Sequence, residues 1–264
     1  MPMAQLAGGD INYSRSGAGA PLVLLLPQSS GPVGVAPFVA ALAERFSVVC
    51  YDQRGTGRSA PPTSGDGYAM TDRAREVAEL MDALELPRAH VFGNSTGCGI
   101  GLAFAAAYPD RVERMVLAAP WSHGDPYLTT MQRLRIAAAE ALDAASYARF
   151  NASLLYPPSY RRKHEAGFAR QAAEASPPDA RQFAKRLEAI LAFDARPLTP
   201  SIACPVLALT AEDDQLMPTW FGREIANGLA NGKYVELQGG GHMLPETRTA
   251  ELAGLVTDFL AGGG

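Results

Sequence analysis

Residues 89–108 constrain this chain more than any other stretch, because an apolar run, a glycine-flanked serine and an alanine-rich segment follow one another without interruption. The run through Val91-Phe92 reads as a buried strand, Gly93-Asn94-Ser95-Thr96-Gly97 as a sharp turn, and the residues up to Tyr108 as a helix. A serine at the apex of such a turn sits in a strained backbone conformation, and Gly93 and Gly97 leave the turn room to close against a sheet. The same serine stands at a helix N-terminus, where unpaired N–H groups and the positive end of the dipole favour a developing anion. Both properties suit a nucleophile. The five-residue pattern is weak alone; its strand-to-helix setting gives it weight, and the chain must then supply a base, an acid and an oxyanion hole.

Composition narrows the partners. The 264 residues, 47% hydrophobic and 19% charged, suffice for one large α/β domain carrying an insertion. A formal net charge of -4 without a Lys/Arg block argues against nucleic acid and anionic membranes, leaving a small-molecule partner. Residues 1–10 show no basic region followed by an apolar core, and no apolar run approaches membrane-spanning length, so a soluble, cytoplasmic monomer or homodimer is expected. Cys50, Cys98 and Cys204 are widely spaced and lie in or beside apolar patterns, which predicts buried, reduced thiols.

Along the chain, strands are expected at 11–16 (an edge), 21–26, 47–52, the run ending at 92, 112–118, 204–210 and 233–237. Helices are expected at 35–45, at 71–86 with Thr71 and Asp72 as caps, after Ser95, at 219–229 and at 249–260. Strand and helix alternate as in a mostly parallel, doubly wound sheet. From Trp121 to about Pro200 no strand is expected; amphipathic helices near 131–142 and 181–193 are separated by Tyr156-Pro157-Pro158 and Ser176-Pro177-Pro178. The chain therefore divides into a core of residues 1–120 and 200–264 and a helical cap of residues 121–199, inserted where strands open onto a ligand crevice.

A serine hydroxyl needs a base. Of four histidines, His90 opens the strand before the turn and His164 lies in a charged run; both read as structural or solvated. His123 is a minor candidate for substrate contact. His242 follows Gly239-Gly240-Gly241 after the last expected strand and can reach the carboxyl edge of the sheet, so it is the expected base. The carboxylate that orients it is expected to be Asp214, just after the 204–210 strand, with Asp213 and Asp125 as alternatives. The oxyanion hole is expected from the N–H of Thr96 and a second donor after Leu26, with Ser29 as the candidate. The chain order is then serine, acid, histidine.

With these residues in view, the chain resembles the α/β-hydrolases over nearly its full length. The stretches Tyr51-Asp-Gln-Arg-Gly-Thr-Gly-Arg-Ser59, Tyr108-Pro-Asp-Arg-Val112, Glu212-Asp-Asp214 with Pro218, and Gly240-Gly-His242 are similar to the family's landmarks. Within the family it most resembles the 3-oxoadipate enol-lactonases and aminoacrylate hydrolases, including a cap with Leu154-Leu-Tyr-Pro157 and Phe193-Asp-Ala-Arg196. The resemblance implies an α/β-hydrolase fold with the cap after the sixth strand, and a metal-free, cofactor-free hydrolase acting on a small acid, ester, lactone or amide. Pro27-Gln28 stands where the family often has His-Gly, which makes the Gln28 side chain a candidate contributor, and Asn94 stands where a histidine is common. Ser95 argues against a haloalkane dehalogenase, which needs a carboxylate there, and the lack of a Gly-Gly-Ser-Trp turn argues against proline iminopeptidase.

Around this constellation, Asp52 and Arg54 are expected to hold a turn beneath the site. Arg133, Arg135, Arg161, Arg162 and Lys163 are candidates to anchor a substrate carboxylate. Trp121, Met131, Phe150, Leu154, Tyr156, Trp220 and Met243 are candidates for an apolar pocket; Gln28, Trp121, His123, Tyr156 and Met243 are the expected substrate contacts. The expected reaction is acyl transfer to water. C–C hydrolysis, cofactor-free lyase or perhydrolase chemistry and ligand sensing are the alternatives on such a scaffold.

Overall fold

The computed structural model describes residues 2–27, 31–61 and 67–262. Among them, eight strands form one sheet: β1 (Met3–Ala4), β2 (Ile11–Ser16), β3 (Ala20–Leu25), β4 (Phe46–Tyr51), β5 (Ala89–Asn94), β6 (Val112–Ala118), β7 (Val206–Ala211) and β8 (Gly232–Leu237). Their spatial order is β1-β2-β4-β3-β5-β6-β7-β8. β1 and β2 run antiparallel to their neighbours, and β4, β3, β5, β6, β7 and β8 are parallel. β5 and β7 are buried along their whole length, as expected of strands covered on both faces. The strand at 11–16 is not the edge: the two-residue β1, too short for any alternation to register, pairs outside it.

Eleven helices accompany the strands among the described residues. α1 (Ala36–Ala43), α2 (Met70–Ala83) and α3 (Thr96–Ala107) precede β6; α4 (Pro126–Ala141), α5 (Ala144–Leu155), α6 (Pro158–Lys163), α7 (Glu165–Ala173) and α8 (Ala180–Ala192) lie between β6 and β7; α9 (Thr219–Gly228), α10 (Leu244–Thr247) and α11 (Thr249–Leu260) follow. Alternation along the strands splits the core in two. Leu22, Leu24 and Phe92 meet Phe38 of α1 and Val256 and Phe259 of α11, while Val23, Leu25 and Val91 meet Val77 and Leu80 of α2, Ile100 and Phe104 of α3 and Phe221 of α9. Truncating Phe38 or Phe104 to alanine is expected to destabilise the fold by about 3–5 kcal/mol. α2 starts one residue earlier than expected and without a side-chain cap; Asp72 lies inside its first turn, paired with Arg75 at 2.6 Å.

Two features of this frame create the site. From β3 the chain steps to β4 on one side and returns to β5 on the other, so the loops leaving β3 and β5 diverge and open a crevice. Above it stand the five helices between β6 and β7, of which α4 packs on α8 and α5 on α7. Asp125, Asp143 and Asp179 start α4, α5 and α8 by accepting from the N–H groups of Leu128 (2.7 Å), Ser146 (2.9 Å) and Gln182 (3.0 Å). None of the described helices is long and apolar enough to cross a membrane.

Candidate active site

The turn between β5 and α3 is tight in two places. A Cβ on Gly93 would stand 2.6 Å from the Gly97 carbonyl oxygen, and one on Gly97 would collide with the Leu25 carbonyl of β3. Between them Ser95 adopts φ 53°, ψ -121°, a conformation that L-residues avoid unless the surroundings enforce it. Its N–H donates to the Ala118 carbonyl at 3.0 Å and its carbonyl accepts from the N–H of Cys98 at 2.8 Å, which fixes the strained residue from both sides. The side chain is thereby aimed out of the turn at the start of α3, whose first N–H groups have no partner within the helix.

His242 meets it. Its Nε2 lies 2.7 Å from Ser95 Oγ, and its Nδ1 lies 2.9 Å from Asp214 Oδ2. The loop that carries it winds through Gly239, Gly240 and Gly241 at φ 75°, 123° and 63°, and its own N–H donates to the Leu155 carbonyl at the end of α5. Asp214 Oδ1 accepts from the N–H groups of Leu216 (2.8 Å) and Met217 (2.9 Å), which leaves Oδ2 for the imidazole. With Nδ1–H donating to that carboxylate, Nε2 is the acceptor for the serine hydroxyl proton. All three side chains are buried.

The other two acids considered for this role are engaged elsewhere. Asp213 Oδ1 accepts from the Gly241 N–H at 2.7 Å, steadying the glycine turn before His242. Asp125 starts α4 and receives the Trp220 indole N–H at 3.3 Å.

Ser95, Thr96 and His242 lie at one end of a cavity of about 250 Å³ that runs beneath α4, α5 and α8. Leu155, Leu187, Ile190, Leu216, Met217 and Met243 give it an apolar wall. Arg73, Arg135 and Arg186 also line it, and no acidic residue is among the described residues that do. The cavity thus brings together a serine hydroxyl, an imidazole held by a carboxylate and the N-terminus of α3.

The profile of the family described as alpha/beta hydrolase fold matches residues 21–249. The chain belongs to that family. Proteins named as the carbamate hydrolase RutD are similar to it: that of Caulobacter sp. (strain K31) is 36% identical over 234 residues, 86% of this chain and 85% of that protein. The one from Azorhizobium caulinodans is 32% identical over 244 residues, 92% and 91% of the two chains. Among solved structures, the enol-lactonase from Burkholderia xenovorans LB400 superimposes with a TM-score of 0.85 at 30% identity, covering 98% of this chain and 100% of that one. The protein is therefore an α/β-hydrolase whose relatives are hydrolases.

Several residues expected at the substrate wall stand elsewhere in this α/β-hydrolase. Trp121 is fully buried behind the cavity, its indole N–H donating to the Ile190 carbonyl and its ring edge-on to Phe193. His123 faces the other way, with Nδ1 3.0 Å from Ser122 Oγ and 3.3 Å from Glu224. Tyr156 turns its hydroxyl to Glu246 at 3.0 Å and stacks on Tyr160. In each case the polar atom is already taken by a partner within the protein. Trp220 is 47% exposed, edge-on to Tyr127. Of the candidate basic residues, Arg133, Arg162 and Lys163 are exposed and Arg161 is half-buried away from the cavity; Arg135 alone lines it. Met243 lines it too, whereas Gln28 and Ser29 lie outside the described residues.

Glu246, Gln53, Arg73 and Glu76 were not singled out from sequence. Glu246, in the turn after His242, accepts from the N–H groups of Gly31 (2.6 Å) and Gly34 (3.1 Å) as well as from Tyr156, joining the segment after β3, the end of α5 and the histidine loop through one buried carboxylate. Gln53 lines the cavity and donates to the Leu26 carbonyl at 3.2 Å. Arg73 is paired with Glu76 at 3.0 Å, and burial raises the Glu76 carboxyl above its ordinary value in spite of that neighbour. Arg54 contributes to the same group, 3.7 Å from Glu76, while Asp52 accepts from the Arg58 N–H at 3.0 Å, so both hold the turn after β4.

The thiols stay out of the chemistry. Burial pushes Cys98, three residues after Ser95, well above the ordinary thiol value, and raises Cys50 to about 12 and Cys204 to about 11. All three are free, Cys98 buried and the others half-buried. Held as neutral thiols, they are poor nucleophiles.

Proposed function

We propose that this α/β-hydrolase cleaves an ester, lactone or amide-like bond of a small carboxylate-bearing molecule through an acyl-enzyme on Ser95. His242 takes the hydroxyl proton as Ser95 Oγ attacks the carbonyl carbon, and returns it to the departing oxygen or nitrogen when the tetrahedral intermediate collapses. Water then attacks the ester on Ser95 with His242 again accepting the proton, and Ser95 leaves protonated together with the free acid. Asp214 holds the imidazole in the tautomer this sequence requires and stabilises the imidazolium. The amide of Thr96 and one from the segment after Leu26, with Ser29 as the candidate, receive the oxyanion. Residues 121–199 act as a cap that excludes water from the acylated state.

The observation that carries this reading is the unbroken relay, 2.7 Å from Ser95 Oγ to Nε2 and 2.9 Å from Nδ1 to Asp214, ending at the floor of the cavity. Arg135 and Arg186, which line the cavity with no acidic residue on its described lining, support an anionic ligand. The names of the relatives, carbamate hydrolase and enol-lactonase, span C–N and C–O cleavage. The same relay serves both, because each passes through a tetrahedral adduct. Free thiols fit a reducing, cytoplasmic compartment.

The test is steady-state hydrolysis of p-nitrophenyl acetate and butyrate, a simple lactone, an enol lactone and an N-acyl enamine acid by wild type and Ser95→Ala. Turnover that depends on Ser95 is the expected result, and the best substrate assigns the bond. Turnover that survives Ser95→Ala would overturn the mechanism.

A further inference from the structure

We propose that Gln132 and Arg135, one turn apart on α4, form a carboxylate-binding subsite for the end of the substrate remote from the bond that Ser95 attacks. The serine-hydrolase reading is needed only to call the ligand a substrate; the case for an anion stands on the side chains themselves.

Arg135 is 8% exposed and Gln132 is fully buried, and both line the cavity that reaches Ser95. An arginine stays cationic in a protein, and a buried cation without a counter-ion is among the least favourable arrangements in a core. The contrast with Arg73 on the same cavity is direct. Arg73 has the Glu76 carboxylate at 3.0 Å, whereas Arg135 has two neutral amide oxygens, Gln132 Oε1 at 2.9 Å from Nη1 and Asn151 Oδ1 at 3.1 Å from Nη2. The guanidinium also lies over the Phe183 ring, 5.5 Å from its centroid, which fixes its plane without neutralising its charge.

The hydrogen bonds already made determine what remains. Arg135 can only donate, so Gln132 must turn its oxygen toward Nη1 and present Nε2 on the other side. That Nε2 is buried with no hydrogen-bond partner, and so is Arg135 Nε. Two orphaned N–H donors on adjacent side chains, one of them on a cation, match the two oxygens of a carboxylate. Arg186, half-buried on the same lining and lying over the Tyr68 ring, adds positive charge nearby. An acyl compound with its carbonyl at Ser95 and a carboxylate against α4 would satisfy both orphans once the two side chains turn these covered N–H groups into the cavity.

The substitution that tests this most cleanly is Gln132→Glu, which gives Arg135 a counter-ion and sets a negative charge where the substrate's carboxylate belongs. The readout is the ratio of kcat/KM for p-nitrophenyl hemiglutarate to that for the equally long, neutral p-nitrophenyl pentanoate. Wild type is expected to favour the hemiglutarate roughly tenfold or more, and Gln132→Glu is expected to lose that preference through KM while melting no lower than wild type. Arg135→Gln should lose it as well, and Arg133→Gln, exposed on the same helix, should keep it. A second arm does not depend on turnover: glutarate should raise the melting temperature of Ser95→Ala protein, glutaramide should not, and Gln132→Glu in that background should abolish the shift. Equal handling of the two esters by wild type, or an unchanged preference in Gln132→Glu, would overturn the proposal. If no ester is turned over, the serine-hydrolase reading fails, and the glutarate shift alone decides the subsite: its presence supports it and its absence overturns it.

Discussion

On the sheet side of the cavity, Ser95 Oγ, both nitrogens of His242 and both oxygens of Asp214 are hydrogen-bonded before any ligand arrives. On the side built by α4 and α5, Gln132 Nε2 and Arg135 Nε are buried and unpartnered. The Ser95–His242–Asp214 relay is thus complete in itself, whereas the two proposed ligand contacts on α4 each keep an unmet donor. That division follows from what each wall does. A relay must be rigid and oriented in advance to stabilise a transition state, whereas unmet donors reserve their strongest interaction for a ligand.

Changes on the two walls should consequently read out differently. Asp214→Asn removes the acceptor that sets the His242 tautomer, and it should lower kcat by about 10⁴-fold for charged and neutral esters alike. A loss confined to charged esters in that variant would erase the distinction between the walls. Glu246→Gln acts where the walls meet. Its amide offers one acceptor oxygen in place of two and turns N–H groups toward Gly31, Gly34 or Tyr156, so a loss of about 2 kcal/mol in urea unfolding is expected.

Asp125→Ala acts on the insertion and on its contact with Trp220 of α9. It removes the cap of α4, the helix that carries Gln132 and Arg135, and should destabilise the protein by about 1 kcal/mol while raising KM for the hemiglutarate more than for the pentanoate. Smallest of all is His90, at the far end of β5, whose folded-state affinity for a proton is lowered mainly by burial. The unfolded chain then binds the proton more readily, so this histidine's contribution to stability is present above pH ~6.5 and is lost as pH falls below it. His90→Gln should flatten the decline in melting temperature between about pH 7 and pH 5 and leave the substrate preference untouched.

The sheet side was also the legible one. A strand, a glycine-bounded serine and a helix occupy consecutive positions, and the geometry they impose is local, so the turn at Ser95 could be read directly from 89–108. His242 and the acids near 212–214 could be assigned to the same sheet edge because each follows a strand. Asp214 was the expected partner, but its spacing does not exclude Asp213 or Asp125, because these carboxylates differ only in which N–H groups the fold brings to them: those of Leu216 and Met217, of Gly241 and of Leu128.

The insertion was harder to read for a physical reason. Amphipathic spacing announces a helix near 131–142 but not which neighbour covers each face, so Arg133 and Arg135 look alike in sequence although one is exposed and the other buried. Trp121, His123 and Tyr156 were expected at the ligand because they lie in or beside the insertion. Their partners, the Ile190 carbonyl, Ser122 and Glu246, are set by tertiary packing that no local pattern encodes. Glu246 itself gave no signal, since two of its three donors are backbone amides more than two hundred residues away in sequence.

The central claim is that Ser95 carries the acyl group. Acid quenching within the first turnovers on p-nitrophenyl hemiglutarate, followed by intact-mass and peptide analysis, tests it most directly. The account predicts a glutaryl adduct on the peptide containing Ser95, formed with a burst of p-nitrophenol and absent from Ser95→Ala. Turnover with no adduct on that peptide, or an adduct that persists in Ser95→Ala, would contradict it.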